Sequence, residues 1–254
     1  MDASTLIITA LAAGLAGFTQ GFAGFGSTLA ALPLLGAILP VRTAVPVSCL
    51  MALCINLLLT SRLKADIRWR PLVRILACSL PGMVLGALVL GLAPALVLKA
   101  MLGAAVLLLS LRTLRAPLAA PKPGPLLTVG AGFLAGFFGV CIGINGPQVV
   151  AWATRQSLGR DGFKATLAAY FLLAGVVIVG LQAWDGLLDQ EVLSLFVLSL
   201  PALGVGLWAG YAASGRMSEE GFLKMVQGLL GLTGAVLLGQ AFLAWVTALP
   251  TPLP

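Results

Sequence analysis

The sequence GFAGFGST, residues Gly21–Thr28, interrupts an apolar segment that runs from residue 5 to residue 40. This segment is too long for one membrane crossing, because about 20 apolar residues span the hydrocarbon core as a helix. A second long segment, residues 125–156, is interrupted by GVCIGINGP at Gly139–Pro147. Non-helical backbone at membrane depth is tolerated only inside the protein or beside a water-filled cavity. The two segments therefore predict two broken helical hairpins, either re-entrant or fully spanning.

The composition supports a membrane location for the whole chain. Hydrophobic residues make up 60% of the sequence and charged residues 9%, and the mean hydropathy is +1.08. A soluble domain has roughly 25% charged residues. All acidic residues fall between or just outside the apolar stretches, where an ionised carboxylate keeps its water. We therefore predict an all-α polytopic membrane protein and exclude a soluble fold.

Six further apolar stretches have the length of single spans, at residues 43–61, 71–92, 95–112, 163–183, 191–213 and 221–247. Each hairpin is followed by three of them. The motif AGF occurs at Ala16–Phe18 and again at Ala135–Phe137. Gly24 follows the first copy at the same offset as Gly143 follows the second. The pattern predicts an internal repeat.

The two repeats are separated by the proline-rich sequence APLAAPKPGP. We place the N-terminal repeat at residues 1–117, a cytoplasmic linker at 118–124 and the C-terminal repeat at 125–254. Each repeat then consists of a broken hairpin and three transmembrane helices.

Loop charges predict how the repeats are inserted. The positive-inside rule assigns to the cytoplasm the loops that carry Arg62, Lys64, Arg68, Arg70, Arg74, Arg112, Arg115, Lys122, Arg155, Arg160, Lys164, Arg216 and Lys224. The loop with Asp185, Asp189 and Glu191 has no basic residue and is assigned to the outside. Both termini are then outside, and the two repeats have opposite orientations, as in many secondary transporters. The net charge of +7 is thus explained without nucleic acid.

The hairpin tips are the candidate binding site. A half-helix begins after each tip, and its free N–H groups and positive dipole end favour an anion. Polar side chains near the tips and on the next span add neutral donors. The predicted substrate-binding residues are Gln20, Gly24, Gly26, Ser27, Thr28, Asn56, Gly143, Asn145, Gly146 and Gln148, followed by Ser48 and Tyr170. The alternative is that the glycines only allow close helix packing, and that Asn56 bonds a neighbouring helix.

Several chemistries have no candidate residues in the spans. The chain has no histidine, and no span contains a carboxylate, so a proton relay or a carboxylate-based cation site is not expected. There is no nucleotide-binding loop of the GxxxxGK type. The four cysteines lie in apolar stretches without CxxC spacing and are interpreted as packing residues. We expect no metal, no cofactor and no enzymatic activity.

Two longer runs resemble the TauE/SafE sulfite exporter family. They are ADIRWRPLVRILACSLPGMVLGALV at Ala65–Val89 and LPALGVGLWAGYAASGRMSEEGFLKMVQGLLGLTGAVLL at Leu200–Leu238. The glycine-rich openings of both repeats are also similar to the repeated glycine motif of that family. The resemblance implies passage of sulfite, sulfonates or sulfoacetate through a bacterial inner membrane. The first tip departs from the family pattern at Phe25 and Ser27, and the second at Asn145 and Pro147, which leaves the substrate open.

We therefore expect a secondary transporter, acting as an exporter of a small anion by alternating access around a midplane site at two half-helix N-termini. An anion channel that uses the same tips as a selectivity filter is the alternative. A subunit that docks another protein is disfavoured, because the predicted loops are short. The expected partners are the small anion and the lipid bilayer, and a homo-oligomer is left open.

Overall fold

The computed structural model describes residues 3–89, 124–142, 145–218 and 220–229, with residues 232, 235 and 239. These residues form helices and connections, without strands. The predicted span 95–112, most of the linker 118–124, Gly143 and the larger part of span 221–247 lie outside them. The helices are α1 (Ala3–Ala23), α2 (Ser27–Gly36), α3 (Val41–Arg62), α4 (Trp69–Val89), α5 (Pro125–Ile142), α6 (Gly146–Ala153), α7 (Gly159–Trp184) and α8 (Gln190–Gly215).

The two interrupted segments of the sequence each form a pair of helices, α1 with α2 and α5 with α6. Between α1 and α2 the chain turns at Gly24 (φ 82°) and Gly26 (φ 95°), a left-handed conformation that favours glycine. Asn145 is the N-cap residue of α6, and Pro147 lies in its first turn, where a missing N–H leaves no helix bond unmade. The glycines and the proline thus fix where each half-helix begins.

Helices α1 and α8 are in backbone contact over several turns. A Cβ at Gly17 would overlap the carbonyl oxygen of Leu203, and one at Gly21 would overlap that of Leu207. Residue numbers increase in the same direction along both helices, so the two run parallel. Small residues at matching positions are the usual means of close helix packing in membranes.

Helices α4 and α5 form a second pair of the same kind. A Cβ at Gly132 would lie 2.9 Å from the carbonyl oxygen of Ile75, and one at Gly136 would overlap that of Ser79. These two helices also run parallel. Each pair joins a helix from the first part of the chain to one from the second, so the two parts are interleaved.

Helices α3 and α7 are antiparallel neighbours. Near one end, Gln182 Nε2 donates to Cys49 Sγ at 3.4 Å. Near the other, the backbone N–H of Arg68, just beyond α3, donates to Thr166 Oγ1 at 3.1 Å. The second end also carries Arg62, and we call it the basic end of the molecule.

The position of Lys164 at the basic end differs from the sequence prediction. Lys164 was assigned to a loop, but α7 begins at Gly159 and includes both Arg160 and Lys164. Arg160 Nη1 donates to the carbonyl oxygens of Ser214 (3.1 Å) and Met217 (2.9 Å) at the end of α8, a favourable place for a cation. Lys164 is fully buried, because its ammonium finds acceptors inside the protein.

The described helices are those of a multi-pass membrane protein. Four are long and apolar enough to span a bilayer: Ser4–Ala23, Arg42–Arg62, Gly159–Trp184 and Gln190–Gly215. Large apolar side chains such as Ile7, Leu11 and Val176 are exposed on their outer faces, as expected where lipid rather than water surrounds the protein. The prediction of an all-helical membrane protein is confirmed.

Candidate functional site

A cavity of about 60 Å³ lies between the two helix breaks and the central helices α3 and α7. One enclosed water needs roughly 10–15 Å³, so this volume holds roughly four to six water-sized groups. The space accommodates a small ion. Seven of the predicted residues line it: Gln20, Gly26, Ser27, Thr28, Asn56, Asn145 and Gly146.

The Gln20 amide organises the wall formed by the first part of the chain. Its Oε1 accepts from the backbone N–H of Ser27 at 3.1 Å, and its Nε2 donates to Asn56 Oδ1 at 2.6 Å. A backbone N–H can only donate, so the amide orientation of Gln20 is fixed by Ser27. Asn56 must then accept through its oxygen, and its NH₂ group is left as a donor at the cavity.

The N-terminus of α2 opens onto the same cavity. Gly26 is the N-cap residue and offers no side-chain cap, so the N–H groups of the first turn have no helix partner. Ser27 and Thr28 carry hydroxyls at this turn, and both residues line the cavity. The end of α2 therefore presents several neutral donors.

The N-terminus of α6 faces the cavity from the second part of the chain. Its N-cap residue, Asn145, makes no side-chain capping bond. A Cβ at Gly139 would lie 3.0 Å from Asn145 Cβ, so a larger residue there would displace Asn145 slightly. The side-chain amide of Asn145 and the first turn of α6 thus add donors opposite α2.

Apolar side chains of α3 and α7 complete the lining. Leu53 belongs to α3, whereas Phe171, Gly175 and Ile178 belong to α7. Among the described residues, the lining contains no charged side chain. Two helix N-termini in neutral surroundings give a positive potential without a fixed cation, and the arrangement can hold an anion that also exposes a small apolar group.

Four predicted residues are not part of the lining. Ser48 Oγ donates to the carbonyl oxygen of Val45 within α3, and Tyr170 is fully buried. Gly24 packs on the stem of Lys164, whose Cγ would lie 3.1 Å from a Cβ at Gly24. The turn at Gly24 therefore faces the basic end rather than the cavity.

Gln148 is the fourth residue. Both polar atoms of its side chain are buried, and neither has a hydrogen-bond partner among the residues that the structure describes. Buried amides are normally paired. The side chain lies in the first turn of α6 but outside the lining, so its role as a ligand in this conformation stays a prediction.

Several lining residues were not predicted. Cys49 was interpreted as a packing residue, yet it lines the cavity with Leu53 and Asn56. These three positions are four and three residues apart, which places them on one face of a helix. The same spacing relates Phe171, Gly175 and Ile178 on α7. The sequence signal for Cys49 is its spacing from Asn56, which places both residues on the same face of α3.

Comparison with known proteins adds the family. The family model described as "Sulfite exporter TauE/SafE" matches residues 9–237, which include every residue of the cavity lining. No curated protein and no solved structure matches the chain. The matched family is one of transporters and not of enzymes. The chain therefore belongs to the TauE/SafE sulfite exporter family.

Proposed function

We propose that the protein is a secondary transporter that exports a small anion, with sulfite, a sulfonate or sulfoacetate as candidates. The observation that carries this proposal is the cavity between the two half-helix N-termini of α2 and α6. Its polar groups are mainly donors: N–H groups, hydroxyls and the NH₂ of Asn56. A cation would need carboxylate or carbonyl oxygens, which are the ligands of hard cations.

Alternating access requires two units that move around a shared site. The close helix contacts support such a plan, because they correspond position by position between the two parts of the chain. Gly17 of α1 meets the Leu203 carbonyl of α8, and Gly136 of α5 meets the Ser79 carbonyl of α4. If α1 corresponds to α5 and α4 to α8, the two contacts are equivalent. We propose that the units are inverted-topology repeats.

The direction of the helices supports opposite insertion of the repeats. Helix α3 ends and helix α7 begins at the basic end. We place this end in the cytoplasm of a bacterial inner membrane by the positive-inside rule, with both chain termini outside. The first hairpin then enters from outside and the second from the cytoplasm, and their tips approach the cavity from opposite sides.

Ser27→Ala and Asn145→Ala test the placement of the anion. Hydrogen bonds to a charged group contribute about 1.5–3 kcal/mol, so each variant is expected to weaken the apparent affinity for the anion by about tenfold or more. Uptake by proteoliposomes that contain purified protein measures this change. Ser194→Ala is the control, because Ser194 is not among the residues that line the cavity and its hydroxyl bonds the Gln190 carbonyl within α8.

Both variants must still insert and elute as a single species. If both transport the anion as well as the original protein does, the placement is wrong. Beforehand, thermal shifts with sulfite, sulfate, taurine, sulfoacetate and simple carboxylates identify the anion, because a ligand of the folded state raises its stability. Saturable flux with counterflow supports a carrier, and single-channel currents would instead support an anion channel.

A further inference from the structure

Lys164 is the one charged side chain that is fully buried in the part of the chain that the structure describes. Its ammonium donates to the carbonyl oxygen of Gly21 at 2.6 Å and to Ser214 Oγ. It also lies 5.0 Å from the centroid of the Tyr211 ring and 5.4 Å from that of Phe222. Among the described residues no carboxylate pairs with it.

A buried ammonium without a counter-ion is costly unless its donors are satisfied. Here uncharged groups stabilise the ammonium. Gly21 lies in the last turn of α1, where the helix dipole is negative, and the two rings add cation–π attraction. The nearest acidic residue in sequence, Asp161, faces Arg160 at 3.7 Å instead. The cation is therefore held in the interior by groups that cannot neutralise it.

The position of Lys164 is between the cavity and the basic end. The stem packs against Gly24, and Gly26, two residues later, already lines the cavity. Toward the basic end, the Arg62 guanidinium stacks on Tyr211 at 4.6 Å. Lys164 thus lies where a path from the cavity to that end would pass.

Buried aromatic side chains lie beside Lys164 at the same depth in the protein. Phe163 and Phe222 meet edge to face, with centroids 5.7 Å apart, and both are buried. They come from α7 and from the helical residues 220–229, while Gly21 and Ser214 come from α1 and α8. Opening this path requires these elements to separate, which breaks the bonds from Lys164 to Gly21 and Ser214.

We propose that Lys164 is a specificity-determining residue of the transport path: it ties α7 to the α1–α8 pair while the path is closed, and it becomes the counter-charge of the passing anion when the path opens. This inference rests on the proposed function. Once α7 moves away from the α1–α8 pair, the ammonium loses both acceptors, and an anion compensates it better than any neutral solute. The anion then favours the open state, because it binds that state more strongly.

Lys164→Met, Lys164→Arg and Ser214→Ala test the proposal in proteoliposomes, with sulfite as the probe. Lys164→Met keeps the length of the side chain and removes the charge. We expect its maximal sulfite flux to fall by about tenfold or more. Its thermal shift with sulfite is expected to stay within about threefold in midpoint concentration, because the cavity is unchanged. Lys164→Arg is expected to retain at least about a third of the flux, since the charge remains.

Ser214→Ala is the matched control, because it removes one acceptor and leaves the cation. It is expected to keep at least the original maximal flux, because the closed state loses one bond and the charge remains. A loss as large as that of Lys164→Met would show that the bond rather than the charge matters. Unchanged flux in Lys164→Met, or an inactive but folded Lys164→Arg, would also overturn the proposal. If Lys164→Met does not reconstitute, Lys164→Gln replaces it with the same expectation. Failure of the proposed function itself is recognised separately, as unchanged sulfite affinity in Ser27→Ala and Asn145→Ala.

Discussion

Gly136→Ala is expected to destabilise the protein strongly, whereas Gly130→Ala, six residues earlier in α5, is expected to stabilise it. The new methyl group at position 136 would overlap the Ser79 carbonyl oxygen and lie 2.9 Å from the Met83 backbone nitrogen. Backbone atoms cannot rotate away, so α4 and α5 must separate. Overpacking by one group typically destabilises by about 1–3 kcal/mol, and we expect the upper end of this range or more.

The control, Gly130→Ala, is expected to change stability in the opposite direction. A Cβ at Gly130 meets nothing within 4 Å, and alanine in a helix is about 1 kcal/mol more favourable than glycine. Melting temperature and the recovery of monodisperse protein in detergent measure both variants. Gly17→Ala, at the equivalent contact between α1 and α8, is expected to behave like Gly136→Ala. Equal melting temperatures for Gly136→Ala and Gly130→Ala would mean that this contact does not hold the two helices together.

Gln20→Glu is expected to abolish anion binding while leaving the fold intact. The side chains have the same shape, and a carboxylate still accepts the N–H of Ser27. Its other oxygen cannot donate to Asn56 as the Gln20 NH₂ does, so the Asn56 amide must turn and donate its own NH₂. A carboxylate, however, places a negative charge in a neutral cavity. Two unit charges 4 Å apart repel by about 4 kcal/mol at an effective dielectric constant of 20, so we expect the sulfite affinity to fall by at least about 100-fold.

Gln190→Glu separates this effect from the change in net charge. Gln190 is exposed at the start of α8, far from the cavity, and an acidic residue there suits the helix dipole. Thermal shift and proteoliposome uptake with sulfite are measured for both variants. A Gln20→Glu protein that binds sulfite normally would exclude the cavity as the anion site.

The helix breaks and half of the cavity were predictable because their signals are local. Glycines and a proline interrupt apolar segments, and polar residues such as Ser27 and Asn145 stand directly beside the breaks. Asn56 was predictable as a candidate because amides are rare in spans. Its two roles were offered as alternatives, and the structure combines them: it bonds Gln20 of α1 and lines the cavity.

The remaining features depend on contacts between distant residues. Lys164 was read as a loop charge because the positive-inside rule assumes contact with water. Its burial depends on the carbonyl of Gly21, which is 143 residues away in the chain. Gln148 illustrates a different difficulty, since successive residues of a helix point about 100° apart. The rotation of a short helix such as α6 is set by its packing, so the sequence does not reveal which side chain of the first turn faces inward.

The two polar walls of the cavity differ in stiffness. Gln20 ties the start of α2 to α3 through Ser27 and Asn56, so three helices hold the donors of this wall as one rigid template. The Asn145 amide has no such bond among the described residues. Ordering one side chain on binding costs about 0.5–1.5 kcal/mol. The first wall therefore sets the geometry that a ligand must match, and the second adjusts to ligands of different size, which gives strict recognition of the anionic group and tolerance for what is attached to it.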